Sequence, residues 1–202
     1  EGNHIGDANE VRSLVDLGRE KFGDRFDNYV FGIGNSFRLL RDMVARAMDY
    51  PDLAKEGIGV SFDDKYRGVS IKVPFSGMFI NPAVPVFTDP VRAAVGMVGT
   101  MIHELAHHQV RSHNAEFPAE MQKIQIVLDE MSHVIEQLSK EEQVKLVKAG
   151  EFDLWNFKKA VIEIVKEHAD VFKWLNKTIV TGDISTRGEQ FKDTSGYETA
   201  DA

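Results

Sequence analysis

Residues 101–117 read MIHELAHHQVRSHNAEF, and this stretch decides which fold and which chemistry the chain is expected to have. It holds His103, Glu104 and His107 in the spacing HExxH. Two histidines four positions apart lie on one face of a helix, so both imidazoles can reach the same metal ion. The carboxylate of Glu104 then lies where it can accept a proton from water that the ion activates. The motif predicts a metal-dependent hydrolytic site with Glu104 as general base.

A third histidine, His113, follows six positions after the second motif histidine. A catalytic zinc ion takes three protein ligands and keeps a fourth position open, so His113 would complete the set for one zinc ion. On a straight helix six positions turn the chain by about 240°, and His113 would point away. The sequence therefore predicts that the helix ends between Gln109 and Ser112 and that the backbone bends back. The alternative third ligands are Glu120 and Glu130.

The pattern HExxH, followed by His113, Asn114 and Phe117, resembles the YgjP-like and SprT-like zinc metallopeptidases. The resemblance covers residues 97 to about 126. It implies a minimal zincin fold, in which a small mixed sheet of about three strands lies beside the helix that carries the motif. It also implies that the three histidines hold one Zn²⁺ and that Glu104 is the catalytic base.

Two residues argue against another zinc peptidase group, the metzincins, whose pattern is HExxHxxGxxH. Val110 stands where that pattern has its glycine, and valine is badly suited to the left-handed conformation that such a turn needs. No methionine follows Met131, so the methionine turn of that group is missing as well. SprT-like proteins often carry DNA-binding extensions or basic tails that this acidic chain lacks, so action on DNA-crosslinked proteins is not expected.

Composition limits the class of protein and its partners. The chain has 202 residues, of which 43% are hydrophobic and 28% charged, as in one soluble globular domain. It has no cysteine, so a metal ion must be held by nitrogen and oxygen ligands. A net charge of −8 without a cluster of basic residues argues against nucleic acid as a ligand.

No run of about 18 apolar residues occurs, so neither a transmembrane helix nor a membrane partner is expected. A cytoplasmic location is the default expectation. The first residues, EGNH, show neither an initiator methionine nor a signal-peptide pattern. We therefore expect a processed form, or a domain cut from a longer chain.

The hydrophobic pattern predicts an α+β fold that is mostly helical, with a helical C-terminal half. The predicted helices are residues 8–22, 35–50, 89–110, 114–138, 139–149 and 153–180, and the predicted strands are 58–63, 69–73 and 78–81. A glycine-punctuated link separates the first two helices. The first two strands are expected to form an antiparallel hairpin, because their apolar residues alternate on either side of a turn. Residues 1–181 would form one zincin-like domain, and the polar residues 182–202 a flexible tail.

The helix that carries the motif has a predicted beginning. Asp89 is expected to be its N-cap and Pro90 its first residue. Gly96 and Gly99 lie inside it, each at a cost of about 1 kcal/mol relative to alanine. Close packing against a sheet or a neighbouring helix is the expected reason for both glycines. Asn114 is expected to cap the following helix and so to fix the turn that aims the third histidine at the metal.

Together these features predict a zinc-dependent metallopeptidase that acts on a protein or peptide substrate. The substrate is expected to lie extended along the strand at residues 78–81, taken as an edge of the sheet. Candidate donors to the oxyanion are Tyr66, Arg111 and His133, chosen on chemical type. The alternatives are a zinc hydrolase with a non-peptide substrate and a protein-binding module with a structural metal. The carboxylate of Glu104 argues against the binding module, because a structural site does not need it.

Overall fold

The computed structural model describes residues 14–62, 67–71, 77–83, 87–136, 139, 141 and 154–181. They form a mostly helical fold with a small mixed sheet, which confirms the predicted α+β class. The helices are α1, described over residues 14–22, α2 (Asp24–Ala47), α3 (Pro90–Ala106), α4 (Phe117–Glu136), α5 (Leu154–Glu167) and α6 (Ala169–Thr181). The strands are β1 (Gly57–Val60), β2 (Gly68–Ile71) and β3 (Gly77–Ile80), and a short 3₁₀ helix at Leu53–Lys55 precedes β1.

The three strands are ordered β1-β3-β2, so β3 is the central strand. It runs parallel to β1 and antiparallel to β2, where Phe79 lies opposite Val69. The predicted hairpin of residues 58–63 with 69–73 is therefore wrong, although both strands exist. Burial explains the order. All four residues of β3 are buried, whereas all four residues of β2 are only partly buried, as suits a central strand and an edge strand.

A single helix, α2, crosses the segment that was predicted to be a glycine-punctuated link. It begins at Asp24 and continues through Gly32 and Gly34, so the predicted later start is wrong. These glycines serve packing. A Cβ atom on Gly32 would lie 3.3 Å from the side chain of Ile164 in α5, and Gly34 is itself buried. The chain breaks instead at Gly23, whose φ of 61° is a left-handed conformation that glycine adopts without strain.

The beginning of α3 is as predicted. The carboxylate of Asp89 accepts a hydrogen bond of 2.9 Å from the backbone N–H three residues on, and Pro90 is the first helical residue. The two internal glycines differ from each other. A Cβ atom on Gly96 would lie 2.9 Å from the ring of Phe87, whereas one on Gly99 would have no atom within 4 Å. Close packing therefore explains Gly96, and the same expectation is wrong for Gly99.

The C-terminal half differs from the prediction in one respect. The helix predicted over residues 153–180 is two helices, α5 and α6, separated at His168. The Nδ1–H group of His168 donates a hydrogen bond of 2.8 Å to the carbonyl of Ile164, so this imidazole closes the end of α5. The helix predicted at 139–149 lies outside the described residues except for two positions, and the predicted tail at 182–202 lies wholly outside them.

One hydrophobic cluster runs through the fold and takes buried side chains from every described helix and from β1 and β3. Helix α3 packs against α4, α5 and the sheet. Both the helix that carries the motif and the segment that follows it are thereby fixed against the core. Within the described ranges, none of the helices combines the length and apolar character that crossing a membrane requires.

Candidate metal centre

The chain leaves helix α3 directly after the motif. The helix ends at Ala106, four residues earlier than predicted, and the backbone N–H groups of His107, His108 and Gln109 each bond a carbonyl three residues back. His107 keeps right-handed helical angles, with φ −64° and ψ −15°. Of the described non-glycine residues only Asp49 has a positive φ. The chain therefore bends by tightening its last turn, and no left-handed residue is needed, which explains why valine is tolerated at position 110.

Asn114 fixes the second half of the bend. Its side-chain oxygen accepts a hydrogen bond of 2.9 Å from the backbone N–H of Glu116, and its carbonyl accepts one of 3.2 Å from that of Phe117. Helix α4 begins at Phe117. Contrary to the expectation, Asn114 does not cap α4, because the first helical hydrogen bond, from the N–H of Glu120, is accepted by the carbonyl of Glu116. The side chain of Asn114 instead closes a turn two residues before the cap position, and this turn brings the neighbouring His113 back towards the motif.

The three predicted ligands meet at one point. The Nε2 atom of His103 lies 3.2 Å from that of His107 and 3.0 Å from that of His113. The ligand atoms of the three residues all lie within 4.8 Å of one another. Tetrahedral zinc with bonds of about 2.0–2.1 Å would hold nitrogen ligands about 3.3 Å apart. The three histidines therefore lie close enough to bind a metal ion.

The surroundings hold the imidazoles in a ligating orientation. The Nδ1–H group of His107 donates a hydrogen bond of 3.0 Å to the carbonyl of Val110, and this bond fixes the tautomer in which Nε2 can ligate a metal. The ring of Phe117 packs against all three imidazoles, with centroid distances of 4.7 Å to His103, 4.5 Å to His107 and 5.0 Å to His113. Phe117 is buried, so it forms an apolar floor under the cluster.

The charges of the site suit a metal centre. Burial, the imidazoles of His107 and His113, and the Arg67 guanidinium lower the pKa of His103 to about 4, so His103 is neutral at pH 7, as a metal ligand must be. Burial raises the pKa of Glu104 to about 7. A carboxyl group with a pKa in this range can both accept and release a proton at neutral pH.

Glu104 lies between the histidines and strand β2 because Gly68 lacks a side chain. A Cβ atom on Gly68 would lie 3.1 Å from Cγ of Glu104 and 2.6 Å from Cγ2 of Thr100. Any larger residue would force β2 away from α3. Gly68 was not among the predicted site residues, although a glycine in a strand is a signal for close backbone approach.

Neither alternative ligand belongs to the cluster. The carboxylate of Glu120 is buried elsewhere and accepts a hydrogen bond of 3.0 Å from the hydroxyl of Tyr50, and Glu130 is exposed. Among the described residues, the one group that could hold a metal is the histidine triad. The alternative that required a straight helix is therefore wrong, because the helix bends.

A buried contact between a histidine and a glutamate also supports the bend after α3. Nδ1 of His108 lies 2.7 Å from a carboxylate oxygen of Glu56, and both side chains are largely buried. Arg41, also buried, donates a hydrogen bond of 2.6 Å to the carbonyl of Glu56. These contacts tie the turn after α3 to the segment before β1. The sequence analysis missed this arrangement, since nothing local pairs residues 52 positions apart.

The triad opens into a cleft of about 340 Å³. Its other lining residues are Glu104, Arg111, and Gly68, Val69 and Ser70 of β2. Arg111 is thus the one proposed oxyanion donor that the structure brings to the site. Tyr66 lies outside the described residues, and His133 belongs to α4 with its side chain outside them.

The strand beside the cleft is β2, and the prediction of residues 78–81 as the substrate edge is wrong. Those residues form the buried central strand, whose two edges pair with β1 and β2. Strand β2 has one neighbour in the described sheet, so its other edge is unpaired there. An open strand edge of this kind can pair with an extended chain.

No protein-family model, no curated protein and no solved structure matches this chain.

Proposed function

We propose that this chain is a zinc-dependent metallopeptidase of the minimal zincin type, similar in its motif to the YgjP-like and SprT-like proteins. One observation carries the proposal. Three imidazole Nε2 atoms converge in a cleft that also holds the buried carboxylate of Glu104 and an edge of β2 that is unpaired within the described sheet. A metal site that served only to stabilise the fold would need neither a carboxylate nor an open cleft.

Zinc is the metal that these ligands suit. His103, His107 and His113 would supply three imidazole nitrogen ligands, which is the number of protein ligands in a catalytic zinc site. When bound, zinc supplies Lewis-acid activation of a water molecule and of the carbonyl that is attacked. The hydrogen bond from His107 to Val110 and the packing of Phe117 keep the rings in place for this ion.

Glu104 moves the proton. It precedes Leu105 and Ala106 in the last turn of α3, beside the first ligand, and lines the cleft. As general base it takes a proton from the attacking water, and as general acid it gives this proton to the leaving amine. Its burial, which raises its pKa, brings its proton affinity close to the value that both transfers need.

Strand β2 positions the substrate. Val69 and Ser70 line the cleft together with the triad, so a peptide that paired with the open edge of β2 would pass across the histidines. Main-chain hydrogen bonds of this kind hold an extended peptide whatever its sequence. Arg111 lines the same cleft and is exposed, and its guanidinium supplies N–H donors for the oxygen that becomes negative during attack.

The test is digestion of an unfolded protein by the zinc-loaded chain, with and without a chelator, beside the variant Glu104→Gln. We expect the variant to keep its zinc and its fold but to lose hydrolysis by about 10²–10⁴-fold, since an amide cannot accept the proton. Glu116→Gln is the matched control, because Glu116 is exposed and lies outside the cleft.

Near-native turnover by Glu104→Gln would show that this residue is not the base. A zinc-loaded chain that cleaves no peptide but hydrolyses a small amide or a phosphoanhydride would favour the non-peptide hydrolase. Stable zinc binding with no hydrolysis of any kind would favour the binding module with a structural metal.

A further inference from the structure

A second cavity, of about 420 Å³, adjoins the metal centre. It shares Gly68, His103 and Glu104 with the first cleft, but its other walls come from the middle of α3, from α4 and from the segments before β2 and α3. These walls are formed by Arg67, Phe87, Gly96, Gly99, Thr100 and Met121. A substrate bound across the triad would therefore have room for a further group on this side of Glu104.

The cavity is open because α3 has a glycine at position 99. A Cβ atom there would meet no atom of the described residues within 4 Å, so packing against them does not require Gly99. The nearby Gly96 is different, since the ring of Phe87 packs against it. Glycine inside a helix costs about 1 kcal/mol relative to alanine, so Gly99 keeps space free at a cost in stability.

One wall is held rigidly by the rest of the fold. The side-chain amide of Asn176 in α6 donates hydrogen bonds of 3.0 Å to the carbonyl of Ala83 and 2.9 Å to the carbonyl of Phe87. Asn176 is buried. Phe87 therefore forms a preformed apolar wall, and Met121 of α4 adds a second apolar surface to the same cavity.

Arg67 is the positively charged side chain among the residues that line this cavity. Its backbone is fixed, because its carbonyl accepts a hydrogen bond of 2.8 Å from the N–H group of Asn81. Arg67 lines the same cavity as His103 and Glu104. Within the described part of the chain no carboxylate forms an ion pair with Arg67. The guanidinium is thus available to a ligand.

We propose that this second cavity binds the substrate group next to the scissile bond and that Arg67 recognises a carboxylate there. This inference rests on the proposed peptidase function. A guanidinium binds a carboxylate through two parallel N–H donors, while Phe87 and Met121 cover the apolar stem that carries it. The carboxylate is either the side chain of an acidic residue or the C-terminus of a peptide. Since the chain carries a net charge of −8, a local cation is needed to attract such a group.

The test measures equilibrium binding in the zinc-loaded Glu104→Gln background, in which peptides are not consumed. Four short peptides differ only in their last residue, which is Glu or Gln, with a free or an amidated C-terminus. We expect a carboxylate-bearing peptide to bind about tenfold more tightly than the neutral Gln amide, as measured by calorimetry. Tight binding of the Glu amide identifies a side-chain site, and tight binding of the free Gln peptide identifies a terminal site.

Three further variants, made in the same Glu104→Gln background, test which residues cause the preference for a carboxylate. Arg67→Gln should abolish the preference for a carboxylate, whereas Arg92→Gln removes the same charge from an exposed position outside the cavity and should keep it. Gly99→Leu should weaken binding of all four peptides by filling the cavity, without lowering the melting temperature.

Equal binding of the four peptides, no binding at millimolar concentration, or an unchanged preference in Arg67→Gln would overturn the inference. Its failure can be distinguished from that of the proposed function, since binding is measured without hydrolysis. If the wild-type chain hydrolyses peptides but shows no preference for a carboxylate, the proposed function stands and the carboxylate site is refuted. If the chain prefers a carboxylate but hydrolyses no peptide, the carboxylate site stands and the proposed function is refuted.

Discussion

Helix α3 has two faces that differ in burial and in chemistry. One face packs into the core, and its residues are no more than 1% exposed: Ala94, Val98, Met101 and Leu105. The other face borders the two cavities and carries small or polar residues: Gly96, Gly99, Thr100, His103 and His107.

The difference shows that one face of this helix stabilises the fold and the other face carries the residues of the candidate site. Burial of a large apolar side chain such as Met101 contributes about 1.5–3 kcal/mol to stability. The cavity face has little to bury, because its residues are glycines or groups that must remain accessible to a ligand. Substitutions on the core face should therefore lower the stability of the protein, whereas substitutions on the cavity face should mainly change binding.

The largest effect is expected from the motif histidines. His103→Ala or His107→Ala should remove most of the bound zinc, because each takes away one of three ligands. Metal analysis of the purified variants measures this loss, and circular dichroism should show an unchanged helix content. His168→Ala, whose imidazole lies outside the triad, is the control and should retain its metal. Full metal retention in both motif variants would refute the metal assignment.

On the core face, Met101→Ala should lower the free energy of unfolding by about 2–5 kcal/mol, because it leaves a cavity at a fully buried position. Urea unfolding measures the change. The variant should still bind zinc under native conditions. A stability within 0.5 kcal/mol of wild type would mean that α3 does not depend on this face, and the proposed division between the two faces would fail.

His113 tests whether the bend after α3 supplies a ligand. His113→Ala should weaken zinc binding by more than about 100-fold, because it removes a ligand and not a partner outside the ligand set, whose loss costs about 10–100-fold. Glu120→Ala should leave zinc affinity nearly unchanged, since Glu120 bonds Tyr50 and lies away from the triad. Competition with a chromogenic chelator measures both affinities. The reverse order of effects would make Glu120 the third ligand.

The smallest effect is expected at the two glycines of the cavity face. Gly99→Ala should raise the free energy of unfolding by about 1 kcal/mol, because alanine favours the helix and its Cβ meets no atom within 4 Å. Gly96→Ala should raise the free energy of unfolding by less than this, or should lower it, since its Cβ would lie 2.9 Å from the Phe87 ring. Thermal unfolding of the pair checks the contrast. Equal effects at both positions would show that the two sites are equally crowded.

Sequence patterns predicted those parts of the molecule that depend on neighbouring residues. The cap at Asp89, the HExxH face of α3 and the turn at Asn114 each involve contacts within a few positions. The glycines of α2 were wrongly predicted to interrupt the helix, because the residue that explains Gly32 lies far away in the sequence. Gly32 faces Ile164 of another helix, and a glycine that packs closely has the same sequence signature as one that ends a helix.

The sequence by itself determined the class of the fold, the position of the motif helix, and the three histidines and one glutamate that the cleft brings together. All of these follow from local periodicity, from turn-forming residues and from the ligand chemistry of the side chains. The tertiary structure alone decided the order of the strands, the open edge at β2, the contact between His108 and Glu56, and the cavity beside Arg67. Strand order depends on which strand is buried on both faces, and that burial is set by helices distant in the chain. Such contacts leave no periodic signal within any one segment, so they become visible only when the segments are packed together.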